Sequence, residues 1–336
     1  MPRLFGQQYS KRDLLALVGR MEQVAGVRRA VLAEGPGAGT EVVEVRAGDL
    51  QFEVLPTRGL DLGAARWRGL PLAWISPAGP VHPALRPGNP ETGFVRSFGG
   101  GLLTTGGLEN VGRPFDDPPE VHGLHGRQSF IPAEGVGART WWDGDDFLLG
   151  VSGIVREASL YAPKLERTRV VHATLGEDRI TLTDVVENVG FEPAPCMLLY
   201  HMNFGWPLVG PGTLVEVPSR AVTVIEGSAD GWDGCPAPAP GFTSQVLEHD
   251  VEPDEDGMAR FRLRSSRAVL EVAYDRAAIP RFTQWRMFGA ADYVLGLEPG
   301  TVGVRGRAAE VAAGTLPMLE PGESRTFKLE ISVSAP

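Results

Sequence analysis

The sequence has few cysteines and few lysines. Its two cysteines, Cys196 and Cys235, lie far apart among 336 residues and show no C-x-x-C spacing. This excludes a disulfide framework and a zinc knuckle. Lys11, Lys164 and Lys328 are the only lysines, and the formal net charge is −10. A basic face that binds phosphate backbones is therefore not expected, and we predict a small-molecule partner rather than a nucleic acid.

Long apolar runs and several enzyme motifs are also missing. No stretch approaches the ~18 apolar residues that a membrane helix needs. The N-terminal segment MPRLFGQQYSKRDLL has no apolar core followed by a cleavage site. We therefore expect a cytoplasmic protein that has no membrane partner. The absence of G-x-S-x-G, H-E-x-x-H and G-x-x-x-x-G-K-[ST] sequences excludes serine-hydrolase, zincin and P-loop sites. The glycine-rich segment 98–112 is interpreted instead as tight backbone packing beneath a pocket.

Turn-forming residues are abundant. Gly 43 and Pro 28 make up about a fifth of the chain, against ~12% in average proteins. Since no collagen-like period is present, this excess indicates many turns and hence many short strands. Hydrophobic residues at 43% and charged residues at 22% are typical of a packed globular protein.

The N-terminal region predicts a helix. Ser10 is a suitable N-cap, with Asp13 three residues later. Apolar residues then follow at helical spacing: Leu14, Leu17, Val18, Met21 and Val24. We therefore predict that residues 1–28 form a helical extension packed on a single domain that occupies residues 29–336.

Beyond this region the pattern favours strands. Alternating apolar and polar residues bounded by turn signals predict strands at Glu41–Arg46, Gln51–Leu55, Leu60–Trp67, Leu70–Ile75, Phe147–Val155, Leu165–Thr174, Arg179–Val189, Cys196–Trp206, Thr213–Val217, Ala221–Ile225, Ala259–Leu263, Ala268–Tyr274, Tyr293–Leu297 and Thr326–Val333. Segments 76–130 and 228–257 interrupt the pattern, and the second is expected to be an exposed excursion. Because the strands on both sides of each interruption are alike, we predict an all-β fold. It is a large antiparallel β-sandwich with a short N-terminal helix and long loops at one face.

Three residues are candidates for acid–base chemistry. His125 lies between glycines in HGLHGRQSF, which would let the backbone approach a ligand closely. Alternation in CMLLYHMNFGW places His201 and Asn203 on one face of a strand. Glu298 ends the run YVLGLEPG. Each residue also has a purely structural interpretation. His125 could be an ordinary loop histidine, His201 a core histidine, and Glu298 a solvated residue at a strand end. His122, three residues from His125, is a further candidate.

Three segments, in order along the chain, resemble the galactose mutarotase (aldose 1-epimerase) superfamily. HGLHGRQSF resembles the family's first histidine loop, YHMNFGWPL is similar to its second histidine segment, and LGLEPGT resembles its late Leu-Glu-Pro. Arg127, Tyr200 and Gly300 depart from the residues usual in the family. PTRGLDLG and VRSFGGGLLTTGGL look like a branch of aldose 1-epimerase-like proteins separate from the enzymes of known substrate.

The resemblance implies a galactose mutarotase-like supersandwich and an isomerase that needs no cofactor. It implies that Glu298 is the base that takes the proton of the anomeric hydroxyl. His201 is the acid that protonates the ring oxygen, and His125 contacts that oxygen. Histidine suits the acid role because its ordinary pKa lies near neutral pH.

The sugar itself is expected to be held by further side chains. Arg127 lies two residues after His125 and should share its face in extended chain, although most arginines are expected to be solvated. A guanidinium there would suit sugar hydroxyls, a carboxylate or a phosphate, so an acidic or phosphorylated sugar is one hypothesis. Trp206 and Trp285 are candidates for stacking on the ring. The full set of candidate contacts is Arg127, His122, Asn203, Arg96, Arg58, Trp285 and Arg286.

Two alternatives remain open at this point. His122, His125, His201 and Glu298 could supply three nitrogens and one oxygen to a divalent metal in a metal-assisted sugar isomerase or epimerase. The chain could also be a non-catalytic carbohydrate-binding domain, because a fold does not determine a function. Nothing in the sequence predicts an oligomeric state.

Overall fold

The computed structural model describes residues 1–118 and 120–336. Its helices, α1 to α3, are Lys11–Leu17, Thr92–Val95 and Arg307–Ala313. Its strands, in chain order, are β1 (Arg3–Leu4), β2 (Gln7–Gln8), β3 (Ala25–Val31), β4 (Glu41–Ala47), β5 (Leu50–Leu55), β6 (Asp61–Trp67), β7 (Leu70–Pro71), β8 (Leu103–Leu108), β9 (Phe115–Asp117), β10 (Glu120–His122), β11 (Glu134–Asp143), β12 (Asp146–Ala158), β13 (Lys164–Thr174), β14 (Arg179–Asn188), β15 (Ala194–Pro195), β16 (Met197–Gly205), β17 (Leu214–Glu216), β18 (Ser219–Glu226), β19 (Gln245–Val251), β20 (Met258–Arg264), β21 (Val269–Asp275), β22 (Arg281–Phe288), β23 (Tyr293–Gly300), β24 (Met318–Leu319) and β25 (Ser324–Ser334).

Two large antiparallel sheets contain most of these strands. The first has the order β11-β12-β13-β14-β25-β21-β20-β17. The second has the order β18-β19-β22-β23-β16-β8-β6-β5-β4-β3, with β7 paired to β6. One continuous cluster of buried apolar side chains lies between the two sheets. The predicted all-β antiparallel sandwich is therefore confirmed. Among the described residues, no helix has the length and apolar character needed to cross a bilayer.

Five strands of the two large sheets were not predicted, and their apolar residues do not alternate cleanly. The short strands β1, β2, β9, β10, β15 and β24 were not predicted either. β8 is buried along its whole length and lies between β16 and β6 within the second sheet. β11 is mostly exposed and contains two glycines. β19 lies inside the segment 228–257, so the expectation that this whole segment is an exposed excursion is wrong. The other two are β3 and β22. In addition, the strand predicted at Leu70–Ile75 is only two residues long.

The N-terminal helix is shorter than its apolar stripe suggests. α1 begins after the Ser10 capping box, ends at Leu17 and buries only Leu14. Met21–Gln23 form a 3-10 turn instead of continuing the helix. Ala25–Val31 then pair with β4 at the edge of the second sheet. The boundary predicted at residue 28 therefore falls inside a strand, and the first 28 residues are not a separate helical extension.

A buried charged network joins the two sheets. The side chains of Arg167 and Arg169 on β13 and of Asp184 on β14 are fully buried. Asp184 is 2.6 Å from Arg169 Nη2 and 3.3 Å from Arg167 Nη1. Tyr200, on β16 of the second sheet, donates its hydroxyl to Asp184 Oδ2 at 2.9 Å. Arg169 also donates to Thr105 Oγ1 at 2.9 Å. Most arginines were expected to be solvated, and these two are not.

We expect Asp184→Asn to lower the free energy of unfolding by about 3–5 kcal/mol, because it removes the charged partner that two buried guanidinium groups share. Urea denaturation measures this loss. Glu330→Gln is the matched control, since it breaks an exposed pair with Arg179 at 3.2 Å and should cost less than ~1 kcal/mol. Similar losses in both variants would contradict a structural role for the network.

Candidate functional site

Two neighbouring strands of the second sheet bring His201 and Glu298 together. The β16–β23 register pairs Leu199 with Gly300 and Met202 with Leu297, which sets His201 opposite Glu298. His201 Nε2 lies 3.2 Å from Glu298 Oε1 without hydrogen-bonding geometry, and both side chains are buried. Alternation along β16 directs Tyr200 into the core between the sheets and His201 to the other face.

A cavity of about 380 Å³ opens above this pair. His125, His201 and Glu298 all line it, so the structure gathers the three residues predicted to act together. Its walls also contain three aromatic side chains, Phe94, Phe98 and Trp285. The ring centroid of His201 lies 5.1 Å from that of Phe98 and 5.6 Å from that of Trp285. An apolar cavity with a few convergent polar groups is the usual form of a small-molecule site.

His125 is held by the backbone around it. Its φ of 54° lies in the left-handed region, and its ring meets the His201 ring edge-on at 5.4 Å between centroids. The Gly112 N–H donates to His125 Nδ1 at 3.3 Å. Gly107 N–H donates to the His125 carbonyl at 3.0 Å, and His125 N–H donates to the Gly112 carbonyl at 2.9 Å. Because Nδ1 accepts a hydrogen bond, the proton of a neutral ring lies on Nε2.

The glycine-rich segment permits this close packing. A Cβ at Gly106 would lie 3.2 Å from the His125 carbonyl oxygen. Gly126 has a φ of +69°, and a Cβ there would lie 2.5 Å from the carbonyl oxygens of Gly107 and Asn110. Larger residues would displace the loop that carries His125, which agrees with the interpretation of segment 98–112 as tight backbone packing beneath a pocket.

Burial sets the pKa values of the pair far apart. It raises the pKa of Glu298 to about 8. It lowers the pKa of His201 to about 4, a shift that the Asn203 side chain partly offsets. Burial and the nearby His201 ring lower the pKa of His125 to about 3. Near neutral pH, both histidines are therefore uncharged, and the His201–Glu298 pair holds one proton on the carboxyl group.

Arg127 does not line this cavity. It lies in a second cavity on the other side of its loop, where its Nε is 3.3 Å from Glu157 and its Nη2 is 3.5 Å from Glu109. The prediction that Arg127 shares the face of His125 is wrong, because the chain turns through left-handed conformations at His125 and Gly126.

His122 also lies in the second cavity, where its ring stacks on Phe115. The predicted metal set of His122, His125, His201 and Glu298 is therefore not assembled. Among the described residues, the group of three whose ligand atoms lie within 4.8 Å of one another is Glu109, Glu120 and His122.

Several other candidate contacts hydrogen-bond to the protein's own backbone. Asn203 is buried and donates to the carbonyls of Gly101 at 3.1 Å and His201 at 2.9 Å. Arg58 is buried and donates to the carbonyls of Val81 and Ser97.

Arg286 likewise lies away from the cavity, where it donates to the carbonyls of Asp230 at 3.1 Å and Gly231 at 2.7 Å. Arg96 and Trp206 are exposed and do not line the cavity. Of the candidate contacts beyond His125, His201 and Glu298, only Trp285 lies in its wall.

Sequence reasoning missed the aromatic wall and two charged groups at the cavity, Arg113 and Glu226. Phe94 and Phe98 stack at 4.9 Å between centroids. Their spacing of four residues around α2 is the signal that could have identified them as neighbours. An aromatic pair at helical spacing, however, more often packs in a hydrophobic core. Arg113 is exposed and lines the cavity. No local pattern distinguishes it from the other arginines.

The pKa of Glu298 has a consequence for stability. Its folded-state pKa of about 8 lies above the ordinary value of ~4.3. Its contribution to stability is fully present below the ordinary value and is lost as pH rises through about 8. The free energy of unfolding of Glu298→Gln minus that of the wild type should therefore increase between pH 5 and pH 9. We expect an increase of more than ~1.4 kcal/mol, which corresponds to one pKa unit. Urea denaturation at both pH values measures it, and an unchanged difference would contradict it.

Comparison with known proteins identifies the fold. No curated protein is significantly similar to this chain in sequence. A Klebsiella pneumoniae protein provisionally described as an aldose 1-epimerase superposes with a TM-score of 0.87 at 23% identity, covering 92% of this chain and 83% of its own. A galactose mutarotase-like protein from Clostridium acetobutylicum gives 0.64 at 11% identity, covering 94% and 100%. Galactose 1-epimerase from Lactobacillus acidophilus gives 0.58 at 11% identity, covering 92% and 99%.

These likenesses establish a galactose mutarotase-like β-sandwich, as the resemblance of the three sequence segments predicted. The model of the family described as "Domain of unknown function (DUF4432)" matches residues 37–333, which is most of the chain. The chain therefore belongs to the DUF4432 family, and its fold is that of the galactose mutarotase-like proteins.

Proposed function

We propose that this protein is an aldose 1-epimerase-type isomerase that interconverts the two anomers of a sugar. The observation that carries the proposal is the buried contact of 3.2 Å between His201 Nε2 and Glu298 Oε1 at the base of an aromatic cavity. The shared fold with proteins described as aldose 1-epimerases supports the same reaction class.

The spacing of the pair suits mutarotation. Ring opening requires that a base take the proton of the anomeric hydroxyl while an acid protonates the ring oxygen. Both oxygens are bonded to the same carbon atom, so the base and the acid must be adjacent. Glu298 and His201 are adjacent because they occupy opposite positions on paired strands.

In the proposed reaction, Glu298 takes the proton of the anomeric hydroxyl, and His201 donates a proton to the ring oxygen. The bond between the anomeric carbon and the ring oxygen breaks as the carbonyl forms. Rotation exposes the other face of the carbonyl, and the same two transfers in reverse close the ring. The pair holds one proton before and after each step, so the reaction needs no external acid or base.

The two protonation forms of the pair differ in energy. Burial favours the form with the proton on Glu298, whose pKa is about 8, over the form with the proton on His201, whose pKa is about 4. Sugar hydroxyls that donate hydrogen bonds to the carboxylate would stabilise the second form in the complex. His125 stays neutral, and its Nε2–H is proposed to donate to the ring oxygen.

The cavity also suits the apolar face of a sugar ring. Trp285 and Phe98 both lie beside the His201 ring and are proposed to contact the C–H groups of the sugar. Trp285 is held in place by a hydrogen bond from its Nε1 to Ser244 Oγ at 3.1 Å. With Arg127 outside the cavity, an acidic or phosphorylated sugar would be recognised by Arg113, which lines the cavity.

We expect His201→Gln and Glu298→Gln each to lower kcat/KM by about 10²–10⁴-fold, because each removes one proton-transfer partner. NMR exchange between anomers measures the rates across neutral hexoses, uronic acids and sugar phosphates. His172→Gln is a matched control on the first sheet, and its rates should equal those of the wild type.

Equal rates for these variants and the wild type, on every sugar that is accelerated, would contradict the proposal. If no sugar is accelerated, quenching of tryptophan fluorescence by the same panel tests binding without catalysis. Binding alone would assign the cavity to a non-catalytic carbohydrate-binding domain.

The pair also predicts a bell-shaped pH dependence of kcat/KM in the free enzyme. Below about pH 4 both members carry a proton, so no base is left. Above about pH 8 neither member carries one, so no acid is left. We expect kcat/KM to fall on the acid side near the first value and on the alkaline side near the second. Both values are properties of the coupled pair and not of either residue alone. Initial rates corrected for uncatalysed mutarotation provide the test. A value of kcat/KM that keeps rising from pH 7 to pH 10 would rule out a pair that must hold one proton.

A further inference from the structure

A second cavity, of about 430 Å³, lies on the other side of the segment 122–127. His122 and Arg127 line this cavity, whereas Leu124 and His125 line the cavity proposed to bind sugar. One short segment therefore contributes a wall to each cavity. The proposed reaction makes no use of the second cavity or of the titratable groups around it.

Three potential ligands converge beside this second cavity. Glu120 and His122 occupy alternate positions of β10, and Glu109 directly follows β8. One ligand atom from each side chain lies within 4.8 Å of the other two. Ser159 Oγ donates to Glu120 Oε1 at 2.7 Å, which fixes the orientation of that carboxylate. Hydrogen bonds of this kind orient the side chains that ligate metals.

The Glu109 side chain lacks the partners that its burial requires. Glu109 is 2% exposed, and its Oε1 has no hydrogen-bond donor among the described residues. Arg127 Nη2 approaches this oxygen to 3.5 Å without hydrogen-bonding geometry. A buried carboxylate without a hydrogen bond is costly. A bound cation would remove that cost.

Arginine side chains surround the three potential ligands. Arg127 lies close to two carboxylates, with its Nε 3.3 Å from Glu157 Oε1 and its Nη2 3.5 Å from Glu109 Oε1. Arg307 pairs with Asp117 at 3.4 Å. These arginines balance part of the negative charge and leave the oxygen of Glu109 without a bonded partner.

We propose that Glu109, Glu120 and His122 bind a divalent transition-metal ion. Two carboxylates and one imidazole are ligands that Zn²⁺ and Mn²⁺ both accept. Three protein ligands leave a coordination position for water or an anion from the second cavity, where Arg86 and Arg127 supply positive charge.

The ion would act on the neighbouring cavity as well. It would tie β10 to the end of β8, and the segment that follows β10 carries His125. His125 needs that segment to keep its left-handed conformation and its hydrogen bonds to Gly107 and Gly112. The site thus has a positioning role in addition to any chemistry in its own cavity.

Metal binding to the full chain is the direct test. After removal of metal by a chelator, Zn²⁺ and Mn²⁺ are titrated separately by calorimetry, and the metal content is measured after dialysis. We expect one ion per chain. Glu109→Gln and His122→Gln should each weaken binding by at least ~10–100-fold, the loss typical of substitutions around a metal site. His172→Gln and His201→Gln should bind the ion as the wild type does.

Two results would overturn the proposal. One is the absence of stoichiometric binding of either metal. The other is unchanged affinity in Glu109→Gln with a loss in His201→Gln, which would move the ion to the cavity of the proposed reaction. If either substitution at the site prevents folding, Co²⁺ added to the wild type gives the decisive reading. One equivalent should produce visible absorption bands that Zn²⁺ abolishes, and the absence of such bands would reject the site.

Discussion

The fold depends on a buried charged network between its two sheets. Arg167, Arg169 and Asp184 lie on one sheet, and the Tyr200 hydroxyl reaches Asp184 from the other. Charges in a protein interior are tolerated only when their partners are complete and well oriented. A shift of one residue along the strand would turn Tyr200 away and leave Asp184 without this donor. The network therefore sets which residues of that strand face the core.

This constraint reaches the site through alternation along a single strand. Because Tyr200 points between the sheets, His201 must point to the opposite face. The neighbouring strand then places Glu298 beside it, in an environment that disfavours charge on either group. Because burial disfavours both charged forms, the pair holds one proton across a wide pH range. Acid–base chemistry at a single carbon requires a pair in that state. Stability and the proposed function thus oppose each other at Glu298.

The segment between His122 and Arg127 connects the two cavities. Left-handed conformations at His125 and Gly126 turn successive side chains to opposite sides, so neighbours in sequence serve different cavities. Members of a fold family often differ in such loops while their strands are kept. The departure from the mutarotase pattern at Arg127 lies in this segment, and there it borders the proposed metal ligands rather than the proposed sugar cavity.

Much of this protein could be predicted from its sequence because the information is local. Alternation and turn residues indicated the all-β sandwich, and the motifs around His125, His201 and Glu298 selected three residues that share one cavity. Only the tertiary structure revealed the sides on which Arg127 and His122 lie, the burial of Arg167 and Arg169, and the strand across residue 28. Local periodicity identifies a strand's two faces, but its neighbours in the fold decide what each face contacts. The direction of a loop and the burial of a charge depend on residues far away in the chain. A local sequence pattern contains no information about those residues.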